Sequence, residues 1–245
     1  MIENLKVISV MLKSYILTIG RRKKYTYGNK NYDKKESRQQ IYTLAQQLTQ
    51  NMLKAVNATV EVRGMENLPE KGPVLYVANH KSIFDIVVLV SLIKDPCIFI
   101  GKKEIAKMPV VGTWSKDLGC IYIDREDLRQ SLTAIMAGIN ELRNGQSVVI
   151  FPEGTRTHAK GIKDFKEGSF KLATKTKVPI VPIALQDTYK IYEEKKGIRK
   201  AKVYVNIGEV INQEQLGKEE QKKLPQYVQT IIEKLLQEIT FNSED

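Results

Sequence analysis

His80 and Asp85, with four residues between them, follow an apolar run, Val74-Leu75-Tyr76-Val77-Ala78, that reads as a buried strand. Histidine is scarce in this chain, two residues in 245, so the one at a strand end is the candidate base. Open α/β sheets collect their ligands just past the C-terminal ends of strands. An imidazole titrates near neutrality, so it can take a proton from an alcohol and return it later. A nearby carboxylate that accepts the other ring N–H fixes the tautomer and steadies the imidazolium. The same residues also have a plainer reading. His80 would cap a helix starting near Ile83, and Asp85 would be a first-turn carboxylate favoured by the helix dipole. The pair alone leaves both readings open.

A second apolar strand, Ser147-Val148-Val149-Ile150, runs into Phe151-Pro152-Glu153-Gly154-Thr155-Arg156-Thr157. Pro152 and Gly154 punctuate the chain there, which puts Glu153, Thr155 and Arg156 in a strand-end loop. One loop with a base and one with an arginine imply a single cleft. Here the sequence resembles the glycerolipid acyltransferases, specifically the 1-acylglycerol-3-phosphate acyltransferases, with all four blocks of that family in order. Asn79-His80 to Asp85 resembles the first block, N-H-x-x-x-x-D. Gly119-Cys120-Ile121-Tyr122-Ile123-Asp124-Arg125 resembles the second, with Tyr122 for the usual Phe. Phe151 to Thr157 is similar to the third, F-P-E-G-T-R-S, with Thr157 for Ser, and Val178 to Ile183 is similar to the fourth. Phe165-Lys166-Glu167-Gly168 matches the family's F-K-x-G before a short helix. The resemblance runs from about Val74 to Leu185, and the flanks carry no comparable signature.

The resemblance implies transfer of a fatty acyl group from a thioester to the free sn-2 hydroxyl of lysophosphatidic acid, giving phosphatidic acid. Glycerol 3-phosphate or another lysophospholipid remains open as the acceptor. No cofactor is implied; acyl-CoA or acyl-carrier protein would bring the acyl group. A thioester already carries a good leaving group, so a base that activates the acceptor is enough. His80 would be that base and Asp85 its orienter, help typically worth ~10²–10⁴ in rate. Ser82 invites a covalent acyl-serine reading, but no G-x-S-x-G elbow surrounds it, and a hydroxyl beside Ile83 is first of all a helix cap. The acceptor's phosphate calls for cationic donors, and the planar fork of arginine suits it better than lysine. By resemblance Arg156 leads and Arg125 follows, with Thr155 in the same substrate loop as Arg156. Lys102 and Lys103 either join them or form a solvated strand end. Glu153 either bonds the glycerol backbone or pairs with a cation to hold its loop, and Gly154 allows close backbone approach. Val178 to Ile183 reads equally as the wall of an apolar acyl groove or as plain core strand. His158 matches no block and reads as a surface loop residue.

To hold these loops the chain must alternate strands and helices. Strands are expected near 58–63, 73–78, 97–101, 120–124, 147–151, 179–185 and 202–207, and helices near 84–93, 126–144, 167–175 and 221–240. That order predicts an α/β domain over 57–245, a mixed sheet flanked by helices. Before it, residues 1–56 read as a two-helix hairpin, a separable module joined by a polar connection over 25–33. The second helix, from Lys34 to Ala55, carries Ile41, Leu44, Ala45, Leu48 and Met52 on one stripe. The first, over 2–19, gathers Leu5, Ile8, Leu12, Tyr15, Ile16 and Ile19 on one face.

Net charge is +11, which points to anionic partners. Nucleic acid is the weakest of these, since the densest basic run, Arg21-Arg22-Lys23-Lys24, follows an apolar helix and no DNA- or RNA-binding pattern is present. Cys97 and Cys120 stand alone in apolar strands, and no His/Cys cluster has metal-ligand spacing. Glu3, and basic residues after rather than before the apolar stretch, argue against a signal peptide. Spanning a bilayer is near break-even for the first helix, because Lys13 near its middle costs ~3 kcal/mol, about what its apolar residues recover. Lying in the interface frees both Lys6 and Lys13 and sets residues 21–24 against lipid phosphates. The expectation is a protein peripheral or monotopic on the cytoplasmic face of the cell membrane, with packing of that helix on the core as the alternative.

Overall fold

The computed structural model describes residues 2–26, 34–157, 161–195 and 197–241. His158, and the polar connection from 27 onward, lie outside them.

Among the described residues seven strands form one sheet: β1 (Thr59–Arg63), β2 (Leu75–Ala78), β3 (Cys97–Lys102), β4 (Ile121–Ile123), β5 (Ser147–Ile150), β6 (Ile180–Gln186) and β7 (Lys202–Ile207). Their order is β1-β7-β6-β2-β5-β3-β4, and every neighbouring pair is parallel except β6 with β7. The sheet is therefore mixed, and its central strands are buried on both faces, as such near-continuous apolar runs require. Alternation divides the side chains. Tyr76, Ala78, Phe99, Val149, Val181 and Ile183 face one core, while Leu75, Val77, Ile98, Ile100, Val148 and Ile180 face the other.

Among the described residues eight α-helices cover the two faces. On the first lie α1 (Ile2–Tyr25), α2 (Lys34–Ala55), α3 (Phe84–Leu92) and α4 (Val111–Asp117). On the second lie α5 (Leu128–Arg143), α6 (Glu167–Thr176) and α8 (Leu224–Phe241), with the short α7 (Lys218–Lys222) leading into α8. The carboxylate of Asp127 starts α5 by accepting from the Arg129 and Gln130 N–H groups. The single C-terminal helix expected over 221–240 is two, because Pro225 in the first turn of α8 has no N–H to continue a ladder from α7. Helix α4 has no counterpart among the expected elements. It is seven residues long, too short for a periodic signal, and it packs so closely that a Cβ on Gly112 would lie 2.6 Å from the Ala106 carbonyl oxygen.

Among the described residues, α2 packs into the same core as the helices and strands that follow it. Tyr42, Leu44, Leu48, Met52 and Leu53 of α2 are buried in the same core as Val88, Leu89 and Ile93, and the Tyr42 hydroxyl lies 3.1 Å from Cys97 Sγ. Helix α1 sits outside α2 and runs six residues beyond the expected end, through Tyr25. The reason is Arg22. Instead of facing lipid with its basic neighbours, Arg22 is 3 % exposed, bonds Asp117 Oδ2 at 2.6 Å, and lies over the rings of Tyr15 and Trp114 at 4.4 and 4.8 Å. Arg21, Lys23 and Lys24 are exposed, as are Leu5, Ile8, Leu12, Ile16, Leu17 and Ile19. Among the described residues no helix is long and apolar enough to cross a membrane.

Candidate active site

The C-terminal ends of β6, β2 and β5 lie side by side, and the segments leaving them make the site. From β2 comes Asn79, whose side chain is locked between strands. Its Nδ2 donates to the Leu185 carbonyl at 2.9 Å, and its Oδ1 accepts from the Leu185 N–H at 2.7 Å. That clamp fixes where the next residue, His80, leaves the sheet.

His80 Nδ1 lies 2.7 Å from Asp85 Oδ2. The same oxygen accepts from the Lys81 and Ser82 backbone N–H groups at 2.7 and 2.8 Å, and Oδ1 accepts from Thr188 Oγ1 at 2.5 Å. Four donors thus converge on a fully buried carboxylate, an acceptor-only group. His80 therefore carries its proton on Nδ1 and presents Nε2 as the lone pair. The ring stacks on Phe151 with centroids 4.2 Å apart, which fixes its plane. The dyad and the helix start are one structure. Ser82 Oγ accepts from the Phe84 N–H at 3.0 Å, so the loop that aims His80 also satisfies the first donors of α3. Ser82 itself is fully buried, which denies it the access a nucleophile needs.

The loop after β5 joins from the neighbouring strand. Glu153 is buried and serves as a brace. Its Oε1 accepts from the His80 N–H at 2.7 Å, and its Oε2 accepts from the Lys163 N–H at 2.9 Å and from the Thr157 hydroxyl. The Thr157 N–H in turn donates to the His80 carbonyl at 2.8 Å. A hydroxyl is all this position needs, so Thr157 does the work of Ser. Gly154 has φ +70°, and a Cβ there would also press on Lys166, 2.9 Å from Nζ. Thr155 and Arg156 point outward. The Arg156 side chain is 44 % exposed, with NH1 bonded to Glu193 Oε1 at 2.9 Å. Burial lowers the pKa of the Lys81 ammonium, beside His80, against the pull of Glu153 and Asp85.

Lys102 and Arg125 lie outside this network, at the ends of β3 and β4, one and two strands beyond β5. Lys102 is exposed, while Lys103 is engaged by Asp124. Arg125 is half-buried, and desolvation lowers its pKa against the opposing charge of Glu104. At about 4.8 Å per strand, β4 stands roughly 14 Å from β2. Tyr122 keeps its ring where the family has Phe and adds a 2.6 Å bond between its hydroxyl and Ser115 Oγ. Of Val178 to Ile183, read as either groove wall or core, residues 180–183 are buried in the centre of the sheet. Cys97 and Cys120 are free thiols that burial raises to about 12 and about 11.

Two side chains of the network went unread in the sequence, Thr188 and Glu193. They sit after β6 in and beyond a 3₁₀ turn, Thr188–Ile191, entered through Asp187 at φ +65°. A threonine and one glutamate of a Glu-Glu-Lys-Lys run carry no spacing signal.

Comparison with known proteins agrees with this architecture. The acyltransferase family model matches residues 59–186. The chloroplastic 1-acyl-sn-glycerol-3-phosphate acyltransferase of Brassica napus is 39% identical over 132 residues, covering 54% of this chain and 38% of that protein. A protein of Mycoplasma pneumoniae named a probable 1-acyl-sn-glycerol-3-phosphate acyltransferase is 32% identical over 208 residues, 80% of this chain and 74% of the relative. The chain thus spans well under half of the first relative and about three quarters of the second. The crystal structure of the 1-acyl-sn-glycerophosphate (LPA) acyltransferase from Thermotoga maritima shares the fold, with TM-score 0.76, 24% identity, and coverage of 97% and 98% of the two chains. The loops that carry His80, Asp85, Glu153 and Arg156 all fall within the matched span, and on that match the chain belongs to the acyltransferase family, with the 1-acyl-sn-glycerol-3-phosphate acyltransferases as its relatives.

Proposed function

We propose that this chain transfers a fatty acyl group from an acyl thioester directly to the sn-2 hydroxyl of lysophosphatidic acid. The observation that carries the reading is the His80–Asp85 bond just past a strand end, with a half-exposed arginine on the adjoining loop. His80 Nε2 takes the hydroxyl proton as the acceptor oxygen attacks the thioester carbonyl. The tetrahedral adduct collapses with cleavage of the C–S bond, and the imidazolium returns its proton to the departing thiolate. No residue of the chain is acylated. Arg156 holds the acceptor's phosphate, and Arg125, with Lys102 at the neighbouring strand end, adds to the positive field that attracts it.

The membrane is the surface on which this happens. Six large apolar side chains of α1 face outward, and Arg21, Lys23 and Lys24 follow them, an arrangement suited to burial in one leaflet with the cations at anionic headgroups. We place that surface on the cytoplasmic side, where acyl-CoA or acyl-carrier protein supplies the thioester.

The test is an acceptor panel. Purified protein is given acyl-CoA and, separately, lysophosphatidic acid, glycerol 3-phosphate, and a lysophospholipid whose phosphate is esterified. Phosphatidic acid should form from the first at least about tenfold faster than product forms from the others, over the esterified lysolipid because charge-assisted recognition favours a free phosphate, and over glycerol 3-phosphate because that acceptor has no acyl chain to bury. Preference for glycerol 3-phosphate or the esterified lysolipid would overturn the acceptor assignment.

A further inference from the structure

Glu193 lies beyond the span matched by the family model, and yet it touches both loops of the site. Its Oε2 accepts from the buried Ser82 hydroxyl at 2.7 Å, and its Oε1 accepts from the Ile83 N–H at 2.9 Å and from Arg156 NH1 at 2.9 Å. The Glu193 side chain is 10 % exposed, against 44 % for Arg156. The carboxylate is thus the fixed partner and the guanidinium the one being held. A carboxylate at the first turn of α3 is also where the helix dipole favours negative charge.

The backbone leaves Glu193 little freedom. Its N–H donates to the Tyr189 carbonyl at 2.8 Å, which ties it to the 3₁₀ turn whose first residue, Thr188, holds Asp85. One short segment therefore grips the base-bearing loop from one side through Thr188 and the arginine-bearing loop from the other through Glu193.

We infer that Glu193 is a positioning residue for acceptor binding, holding Arg156 at a fixed span from His80 so that the acceptor's phosphate and hydroxyl are engaged together. This rests on the assignment of Arg156 to the phosphate. Only NH1 of the guanidinium is bonded to Glu193, and the fork has five N–H donors in all, so the aimed group keeps donors for a phosphate. A bare arginine on a turn would have to be ordered by the substrate itself, and that cost would fall on acceptor affinity.

The experiment measures KM for lysophosphatidic acid and for acyl-CoA in the full chain carrying Glu193→Ala, Glu193→Gln, Arg156→Ala, and the Glu193→Ala/Arg156→Ala pair. Glu193→Ala should raise the acceptor KM about tenfold while the acyl-CoA KM stays within about twofold, since the lost arginine partner acts on acceptor binding and the lost partner of Ser82 and Ile83 acts on the base-bearing loop, and so on kcat. Glu193→Gln, which keeps the accepting oxygen, should restore the acceptor KM to within about threefold of the parent. The double variant should be no worse than Arg156→Ala, because Glu193 acts through that arginine. Should the alanine variant fail to fold, Glu193→Asp carries the same test. It keeps the charge but withdraws it by one methylene, and it should raise the acceptor KM without rescue. If Arg156→Ala raises the acceptor KM while loss of Glu193 leaves it unchanged, raises both constants equally, or multiplies with Arg156→Ala, the positioning role is wrong and the phosphate assignment stands. If Arg156→Ala itself leaves the acceptor KM unchanged, both fall.

Discussion

Asp85 shows why a single carboxylate can decide the chemistry of this site. Its two oxygens take one imidazole, two backbone amides and one hydroxyl. An amide in its place brings a donor against donors, so Asp85→Asn should turn His80 to the wrong tautomer and lower kcat by about 10⁴, with acyl-CoA binding kept. Thr188→Val leaves Oδ1 without its donor inside the core. A loss of ~1–3 kcal/mol is expected, read as roughly a tenfold fall in kcat at steady KM. Ser82→Ala should retain activity within about tenfold, since it removes a cap and not a nucleophile. Intact-mass spectra of the stalled enzyme should show no acyl adduct, and an adduct on Ser82 would refute direct transfer. His80 and Asp85 were legible in the sequence because they stand close together, at a strand end and in the first turn of the next helix, and the Phe151–Thr157 block decided between a dyad and a plain helix cap. Thr188 and Glu193 were not, because they reach the site from 103 and 110 residues away, and no local pattern encodes such a meeting.

Helix α1 is where the expectation drawn from sequence and the structure part most clearly. Its apolar face was legible from its periodicity, but the choice among four consecutive basic residues was not, because it depends on the unexpected α4. Arg22 is the one that turns inward, and it is held by Asp117 and by the sequence's single tryptophan, Trp114. Removing one partner of a buried pair costs about 3 kcal/mol at the lower end of the usual range, so Arg22→Ala should lower Tm by roughly 6–12 °C. Burial already raises the pKa of the Asp117 carboxyl, and Arg22 opposes that rise. Without Arg22 the raised carboxyl penalises the fold above its folded pKa and is relieved as pH falls through it. The stability deficit should therefore be larger at pH 8 than at pH 5. Melts followed by Trp114 fluorescence measure this, and a deficit that grows in acid would contradict the pairing.

On the scale of the whole molecule, the seven strands were legible because each is a short apolar or alternating run bounded by turns, whereas their order was not. That β1 and β7 form one edge is settled by a pairing between segments more than a hundred residues apart, and that β7 runs antiparallel to β6 by the turn between them; periodicity carries a signal for neither. The finished fold sets the His80 and Glu153 segments at the ends of β2 and β5 and leaves an apolar, cation-flanked helix at the surface. Ile8→Gln, Leu12→Gln and Ile16→Gln together should release the protein from anionic vesicles while Tm changes little, because these side chains are exposed. Charge reversal at Arg21, Lys23 and Lys24 should weaken flotation by ~1 kcal/mol per residue at low salt, and by less at high salt. The central claim is that His80 is the base for direct transfer between two lipid substrates. It is tested most directly by the rate of phosphatidic acid formation from acyl-CoA and lysophosphatidic acid in His80→Ala against the parent protein, each at the same folded concentration. The account predicts a loss of at least about 10²–10⁴ in kcat with both substrates still bound. Turnover in His80→Ala within about tenfold of the parent would contradict it, because general-base help is worth more than that.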